Sequence, residues 1–108
     1  MYELRHYIDP DGHDPFAHWL DHLQDKVARA RVAARLLRLQ NGNFGDCKPV
    51  SSGVWELRVD WGAGYRVYYA IAGKRVILLC GGGDKRTQSR DITRAIQRWN
   101  EWQTRSNR

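Results

Sequence analysis

The chain of 108 residues has few cysteines and no long apolar segment, and both absences narrow its class. Two cysteines, Cys47 and Cys80, are too few for a disulfide framework, so we expect reduced and partly buried thiols. No apolar run approaches the ~20 residues that a membrane-spanning helix requires. The N-terminus also lacks the apolar centre of a secretory signal. These absences predict a cytoplasmic protein without a membrane partner.

Histidine is missing from most of the chain, because all four histidines precede residue 23. His18 and His22 have the i, i+4 spacing of zinc ligands, but Trp19 stands where a zinc protease carries its glutamate. No third ligand is evident in the sequence. We therefore expect exposed histidines, no metal and no cofactor. If the chain is a nuclease, histidine is not expected to be its acid or base.

Positive charge is concentrated after the first 25 residues. Residues 1–25 contain one basic and six acidic side chains, whereas residues 26–108 contain seventeen basic and six acidic ones. Arginines outnumber lysines fourteen to four, and arginine is the better fork for phosphate. A basic body of this kind fits a nucleic acid or an acidic protein, although a solvated basic surface is the alternative.

The N-terminal half predicts a strand and two helices. A short strand, Tyr2–Ile8, ends at the turn signal Asp9-Pro10-Asp11-Gly12. Asp14-Pro15 resembles a helix N-cap, and apolar residues follow at i, i+3, i+4 and i+7: Phe16, Trp19, Leu20 and Leu23. A second helix is predicted from Lys26 to Gln40, with the apolar positions Val27, Ala30, Ala34 and Leu37. No glycine or proline separates the two, so one bent helix is an alternative.

The C-terminal half predicts three strands and a helix. Gly42–Ser52 is expected to be a loop, and Val54–Asp60 and Tyr65–Ala72 alternate as half-buried strands. Arg75–Cys80 is nearly all apolar, as in a central strand buried on both faces. Asp91 is expected to cap the last helix. The order β-α-α-β-β-β-α predicts one α+β domain over residues 1–108.

The alternation of side chains along the two predicted strands places two arginines on the same face of the sheet. Facing residues of an antiparallel pair have a constant sum of numbers, and matching the apolar faces requires an even sum. Four residues then share one face: Glu56, Arg58, Arg66 and Tyr68. The two guanidinium groups repel unless an anion lies between them. Either they clamp a phosphate, or a carboxylate supplied by Glu56, Asp60 or the last helix makes a structural ion pair.

A glycine-rich segment, Gly81-Gly82-Gly83-Asp84, follows the third of these strands. It lacks the G-K-[ST] ending of a nucleotide-binding P-loop. We expect a flexible loop that carries Lys85 and Arg86 towards the arginine face. The alternative is an ordinary turn with solvated charges.

Three motifs together resemble a known superfamily: GVWELRV, GYRVYYA and VILLCGGGDKRTQSRDI. The chain looks like a RelE/ParE toxin of type II toxin–antitoxin systems, in the HigB-like branch described as addiction-module killer proteins. The resemblance implies a compact antiparallel sheet with two N-terminal helices on one face and a short C-terminal helix.

The resemblance also implies an activity. Most such toxins cut mRNA on the ribosome without metal, by attack of a 2′-hydroxyl on the adjacent phosphate, and thereby inhibit translation. A helix-turn-helix antitoxin silences the toxin, and their complex binds operator DNA. The alternatives are a DNA gyrase inhibitor of ParE type and a catalytically inactive regulatory member.

The resemblance also implies site residues, which are assigned by their positions in the matched motifs. Arg66 matches the catalytic arginine of the family and Arg58 a nearby phosphate binder, while Lys85 or Glu56 could act as base. Four further residues are expected to bind RNA or phosphate: Arg86, Lys48, Tyr68 and Gln88. Tyr68 could stack on a base, and Gln88 could orient a phosphate. Relatives often place a histidine or tyrosine after the last strand, and this chain has neither there.

Overall fold

The computed structural model describes residues 1–106, in which five strands and three helices are joined by short connections. A single 3-10 turn, Lys85–Thr87, leads into the last helix. The elements in chain order are β1 Glu3–His6, α1 Pro15–Asp21, α2 Lys26–Gln40, β2 Cys47–Ser51, β3 Val54–Val59, β4 Tyr65–Ala72, β5 Val76–Asp84 and α3 Gln88–Ser106.

The five strands form one sheet in the order β1-β5-β4-β3-β2. The α+β class and the placement of two N-terminal helices and a C-terminal helix are confirmed. Two details differ from the expected antiparallel sheet. Strand β1 pairs with β5 in parallel. The expected loop Gly42–Ser52 contains β2, whose Pro49 is tolerated because β2 is an edge strand.

Side-chain caps settle the question of one bent helix or two. Asp14 accepts a hydrogen bond from the Ala17 amide, which begins α1. Asp25 accepts from the amides of Val27 and Ala28, both at 3.0 Å, which begins α2. Because Asp25 is extended rather than helical, the two helices are separate.

The predicted apolar face of α2 is wrong. The buried residues are Ala28, Val32, Leu36 and Leu39, whereas Val27 and Leu37 are 48% and 60% exposed. Alanine and valine give this helix two stripes that both satisfy helical spacing. The stripe with Leu36 and Leu39 is buried because it offers more apolar surface to the sheet.

The sheet is covered on both faces, and the extent of the cover over the second face is the main departure from expectation. Helices α1 and α2 cover one face over a core that includes Phe16, Val32 and Leu57. Helix α3 covers the other face with Ala95 and Trp99. With 19 residues α3 is the longest helix of residues 1–106, not a short one. None of the helices in this range has the length and apolar character to cross a membrane.

The glycine segment is not a loop, because Gly81, Gly82 and Gly83 belong to β5 and pair with β4. A Cβ atom on Gly82 would collide with the Trp19 indole, and one on Gly83 would collide with the Asp91 carboxylate. The glycines therefore allow α1 and α3 to approach the backbone of β5 closely. Because glycine is rare in strands, its run of three predicted a loop instead of a strand in close contact with two helices.

The close contact between Gly82 and Trp19 predicts that substitutions at these two positions affect stability non-additively. Gly82→Ala should lower the free energy of unfolding by about 2 kcal/mol or more, because the added methyl overpacks the indole. Denaturant unfolding of Gly82→Ala, Trp19→Ala and the double variant measures the effect. The double variant should lose clearly less than the sum of the singles. Additive losses, or an unchanged Gly82→Ala, would contradict the close approach.

Candidate phosphate-binding cleft

A cleft of about 330 Å³ opens at the end of the sheet where β3 meets β4 and β5 ends. Its charged and aromatic lining consists of Asp46, Arg58, Asp60, Tyr65, Arg66 and Lys85. In the sheet Arg58 lies opposite Arg66, and Glu56 lies opposite Tyr68. The parity prediction is therefore confirmed, and Arg58 and Arg66 do share one cleft.

Arg66 is held by a buried ion pair. Its Nε lies 3.4 Å from Oε2 of Glu56, and the two side chains are 12% and 0% exposed. Its Nη1 donates to the Gly64 carbonyl at 2.9 Å. Gln88 donates from Nε2 to Glu56 Oε2 at 2.8 Å. Glu56 thus fixes Arg66 from behind, while the guanidinium faces the cleft.

Three buried polar atoms around this pair have no hydrogen-bond partner within the described residues: Glu56 Oε1, Arg66 Nε and Tyr68 Oη. Burial, and then the charge of Glu56, raises the pKa of the Tyr68 phenol above its usual range. Unsatisfied buried polar groups cost stability. Buried polar groups without partners therefore mark this part of the sheet as a candidate functional region.

Arg58 is held differently, by an exposed carboxylate that the sequence did not single out. Its Nη2 and Nε donate to Asp46 Oδ1 at 3.0 and 3.2 Å. Its own carbonyl accepts from Nη1 of Arg35 at 2.6 Å, which ties β3 to α2. Both arginines therefore already have a carboxylate: Glu56 was among those that the ion-pair alternative named, and Asp46 was not. A phosphate would compete with Asp46 for Arg58.

The structure brings only three of the expected site residues into the cleft: Arg58, Arg66 and Lys85. Glu56 is fully buried behind Arg66, so it is not placed to act as a base on a ligand in the cleft. Tyr68 is fully buried beneath α3, so its ring cannot stack on a base. Both corrections have one cause: α3 covers the sheet face that was expected to be open.

The other expected phosphate binders lie outside the cleft. Gln88 is engaged with Glu56. Arg86 lies on the 3-10 turn, 83% exposed and paired with Asp84 at 3.1 Å. Lys48 is exposed on the edge strand β2. Because β5 continues through the glycines, Lys85 and Arg86 follow a strand rather than a flexible loop.

Tyr65, Asp46 and Asp60 also line the cleft. The sequence had named Asp60 as a carboxylate that could pair with the arginines, whereas the roles of Tyr65 and Asp46 were missed. Tyr65 is partly exposed and is the aromatic ring that a base could contact in this cleft. Its position inside the GYRVYYA motif, directly before Arg66, was the available signal. Within residues 1–106, no group of three or more histidine, cysteine, aspartate or glutamate side chains could hold a metal ion.

The fold and cleft define a small α+β protein in which two strand arginines, Arg58 and Arg66, lie together at one end of the sheet. The family of phage-derived Gp49-like proteins (DUF891) matches residues 18–100, which span α1 to most of α3. The chain therefore belongs to the Gp49-like family, a RelE-like, toxin-like family of toxin–antitoxin systems.

A relative from Haemophilus influenzae strain Rd, an uncharacterized protein, is 54% identical over 81 residues. The alignment covers 74% of this chain and 81% of the relative. Similarity at this level indicates that the relative shares the fold, but its description assigns it no activity.

The two arginines should differ in their effect on stability. Arg66→Ala leaves the buried Glu56 charge without its partner, so the free energy of unfolding should fall by about 3–5 kcal/mol. Arg58→Ala removes an exposed pair and should cost less than about 1 kcal/mol. Denaturant unfolding measures both. The double variant Glu56→Gln/Arg66→Gln should recover most of the Arg66→Ala loss. Equal losses for the two single variants would contradict the buried pair.

Proposed function

We propose that the protein is the toxin of a type II toxin–antitoxin system, a HigB-like endoribonuclease that cuts mRNA on translating ribosomes. One observation carries the proposal: Arg58, Arg66 and Lys85 converge on a single open cleft at the end of the sheet. Membership of a toxin-like family supports it. The cleft is large enough for one nucleotide and its phosphates, and Tyr65 offers a ring for the base.

The chemistry that fits this lining is an internal phosphoryl transfer. The 2′-oxygen of the RNA forms a bond to the adjacent phosphorus, and the bond from phosphorus to the 5′-oxygen breaks. The 2′-hydroxyl gives up its proton, and the departing 5′-oxygen gains one. The products are a 2′,3′-cyclic phosphate and a free 5′-hydroxyl.

The cations stabilise the charge that develops on the phosphoryl oxygens. Arg66 is fixed before the substrate arrives, because Glu56 and the Gly64 carbonyl hold it in place. Preorganised charge of this kind lowers a barrier by about 3–4 kcal/mol per group. Arg58 and Lys85 are more exposed and would close on the phosphate as it binds.

Proton transfer would fall to groups that line the cleft. Asp60 is an exposed carboxylate and makes no ion pair within residues 1–106, so it is our candidate base. Lys85 and Tyr65 are the candidate acids, since each presents a transferable proton to the same space. This set replaces Glu56, which is buried away from the cleft.

A toxin of this class needs a partner that silences it. We propose a helix-turn-helix antitoxin that binds the toxin tightly, and operator DNA that is bound only through their complex. The broad positive charge of residues 26–108 gives an acidic antitoxin segment a complementary surface.

Induced expression tests the proposal directly. Expression without antitoxin should arrest growth, and primer extension on mRNA from a cell-free translation reaction should show new 5′ ends. The variant Glu56→Gln/Arg66→Gln keeps side-chain volume and removes both charges, so it should stop cleavage while the chain stays folded. Asp60→Asn should reduce cleavage by about 10²–10⁴-fold if Asp60 is the base.

Arg75→Gln is the matched control, because Arg75 is exposed in the β4–β5 turn at the opposite end of the hairpin. It should cleave like the natural chain. Arrest with intact mRNA and inhibited gyrase supercoiling would replace the proposal with gyrase inhibition. Normal growth without antitoxin would contradict both activities and favour a catalytically inactive regulatory protein.

A further inference from the structure

A second cleft, of about 350 Å³, lies between α1 and α3 and contributes nothing to the site described above. Gly82 of β5 and Trp19 of α1 are part of its lining. We call it the α1–α3 cleft. Its polar rim consists of His13, His18 and His22 from the α1 side and Arg90, Arg94 and Arg98 from α3.

The α1–α3 cleft is more positive than the cleft at the end of the sheet. It presents three arginines against one carboxylate, Asp91, which also accepts from the Thr87 hydroxyl and from Arg90. The cleft at the end of the sheet presents three cations against two carboxylates, with Glu56 directly behind. An anion would therefore gain more from the α1–α3 cleft.

Arg94 and Arg98 have no carboxylate partner within residues 1–106. Arg98 is partly buried and donates from Nη1 to the neutral carbonyl of Cys80 at 2.9 Å. Its burial, and then the charge of Arg94, lowers the pKa of the Arg98 guanidinium. Two cations thus lie near each other, and neither makes an ion pair with a carboxylate among the described residues.

The three histidines form a ladder along the other wall. The His13 and His18 ring centroids are 5.4 Å apart, and the His18 and His22 rings stack at 4.1 Å. His22 Nδ1 donates to the His18 carbonyl at 2.7 Å, which leaves its Nε2 available to a ligand. These histidines are far from the arginines of α3 in the sequence, but the fold places them beside that helix.

Flat rings combined with arginines favour a nucleic acid over an acidic peptide. Bases can stack on the faces of such rings, whereas a carboxylate can use only the N–H groups at their edges. Arg90, Arg94 and Arg98 are also four residues apart on one helix, which separates neighbours by about 6 Å along its axis. This spacing is comparable with that of successive phosphates on a single strand.

We propose that the α1–α3 cleft binds the phosphodiester backbone of a single-stranded RNA, with Arg94 and Arg98 on phosphates and the histidine ladder against bases. The choice of RNA as the strand rests on the proposed function; the anion site itself does not. The α1–α3 cleft would hold the strand beyond the point of cleavage, since Gly82 lies three residues before Lys85, which is about 10 Å of extended chain. It would thus supply affinity rather than chemistry.

A non-cleavable probe tests the proposal on the full chain. A fluorescent twelve-nucleotide 2′-O-methyl oligoribonucleotide is titrated with protein over a range of salt concentrations, and anisotropy gives the Kd. Arg94→Gln is the variant of choice, because Arg94 is exposed and makes no hydrogen bond or ion pair within residues 1–106. It should weaken binding about tenfold and reduce the salt slope by about 0.7, the loss of one phosphate contact.

Arg75→Gln removes the same charge at the far end of the sheet and should bind like the natural chain. His22→Gln provides a second variant for the ladder and should also weaken binding. Equal affinities for Arg94→Gln and Arg75→Gln would overturn the proposal. So would an oligoglutamate peptide of equal charge that binds as tightly as the oligonucleotide, because the α1–α3 cleft would then be a site for an acidic protein.

The outcome separates this inference from the proposed function. If mRNA is cut during translation but Arg94→Gln binds the probe normally, the inference fails alone. If mRNA is not cut but Arg94→Gln selectively weakens binding, the proposed function fails and the cleft still binds a nucleic acid. A DNA oligonucleotide of the same sequence shows whether the strand must be RNA.

Discussion

The buried pair of Glu56 and Arg66 is the interaction on which the candidate site depends. A fully buried carboxylate is tolerated only because Arg66 and Gln88 lie against it. In return the carboxylate holds Arg66 at the floor of an open cleft, next to Arg58 and Lys85. In our proposal, binding a phosphate and forming a stabilising ion pair are two roles of one arrangement, whereas the sequence presented them as alternatives.

Helix α3 accounts for most of what distinguishes the structure from the expectation. It lies on the sheet face that carries Glu56 and Tyr68, so the open part of that face contracts to one end. The glycines of β5 permit this approach and that of α1 on the opposite face. The same close packing creates the α1–α3 cleft, where side chains distant in sequence meet.

Local patterns predicted the parts of the molecule that depend on local physics. Alternation and turn residues located β3, β4 and their facing arginines, and the cap at Asp14 located the start of α1. Long-range packing was not predictable in this way. Glycine in β5 looks like a loop until a tryptophan lies against it, and nothing local distinguishes the buried stripe of α2. The meeting of the histidines with α3 likewise depends on the tertiary fold.

The central claim is that the cleft at the end of the sheet drives attack of a 2′-hydroxyl on the neighbouring phosphate. The chemistry of the RNA ends tests it most directly. Mass spectrometry of RNA fragments from a cell-free translation reaction with the purified protein identifies both termini. The account predicts 2′,3′-cyclic phosphates and 5′-hydroxyls, which disappear with Glu56→Gln/Arg66→Gln. Fragments with 5′-phosphates and 3′-hydroxyls, or unbroken RNA, would contradict it.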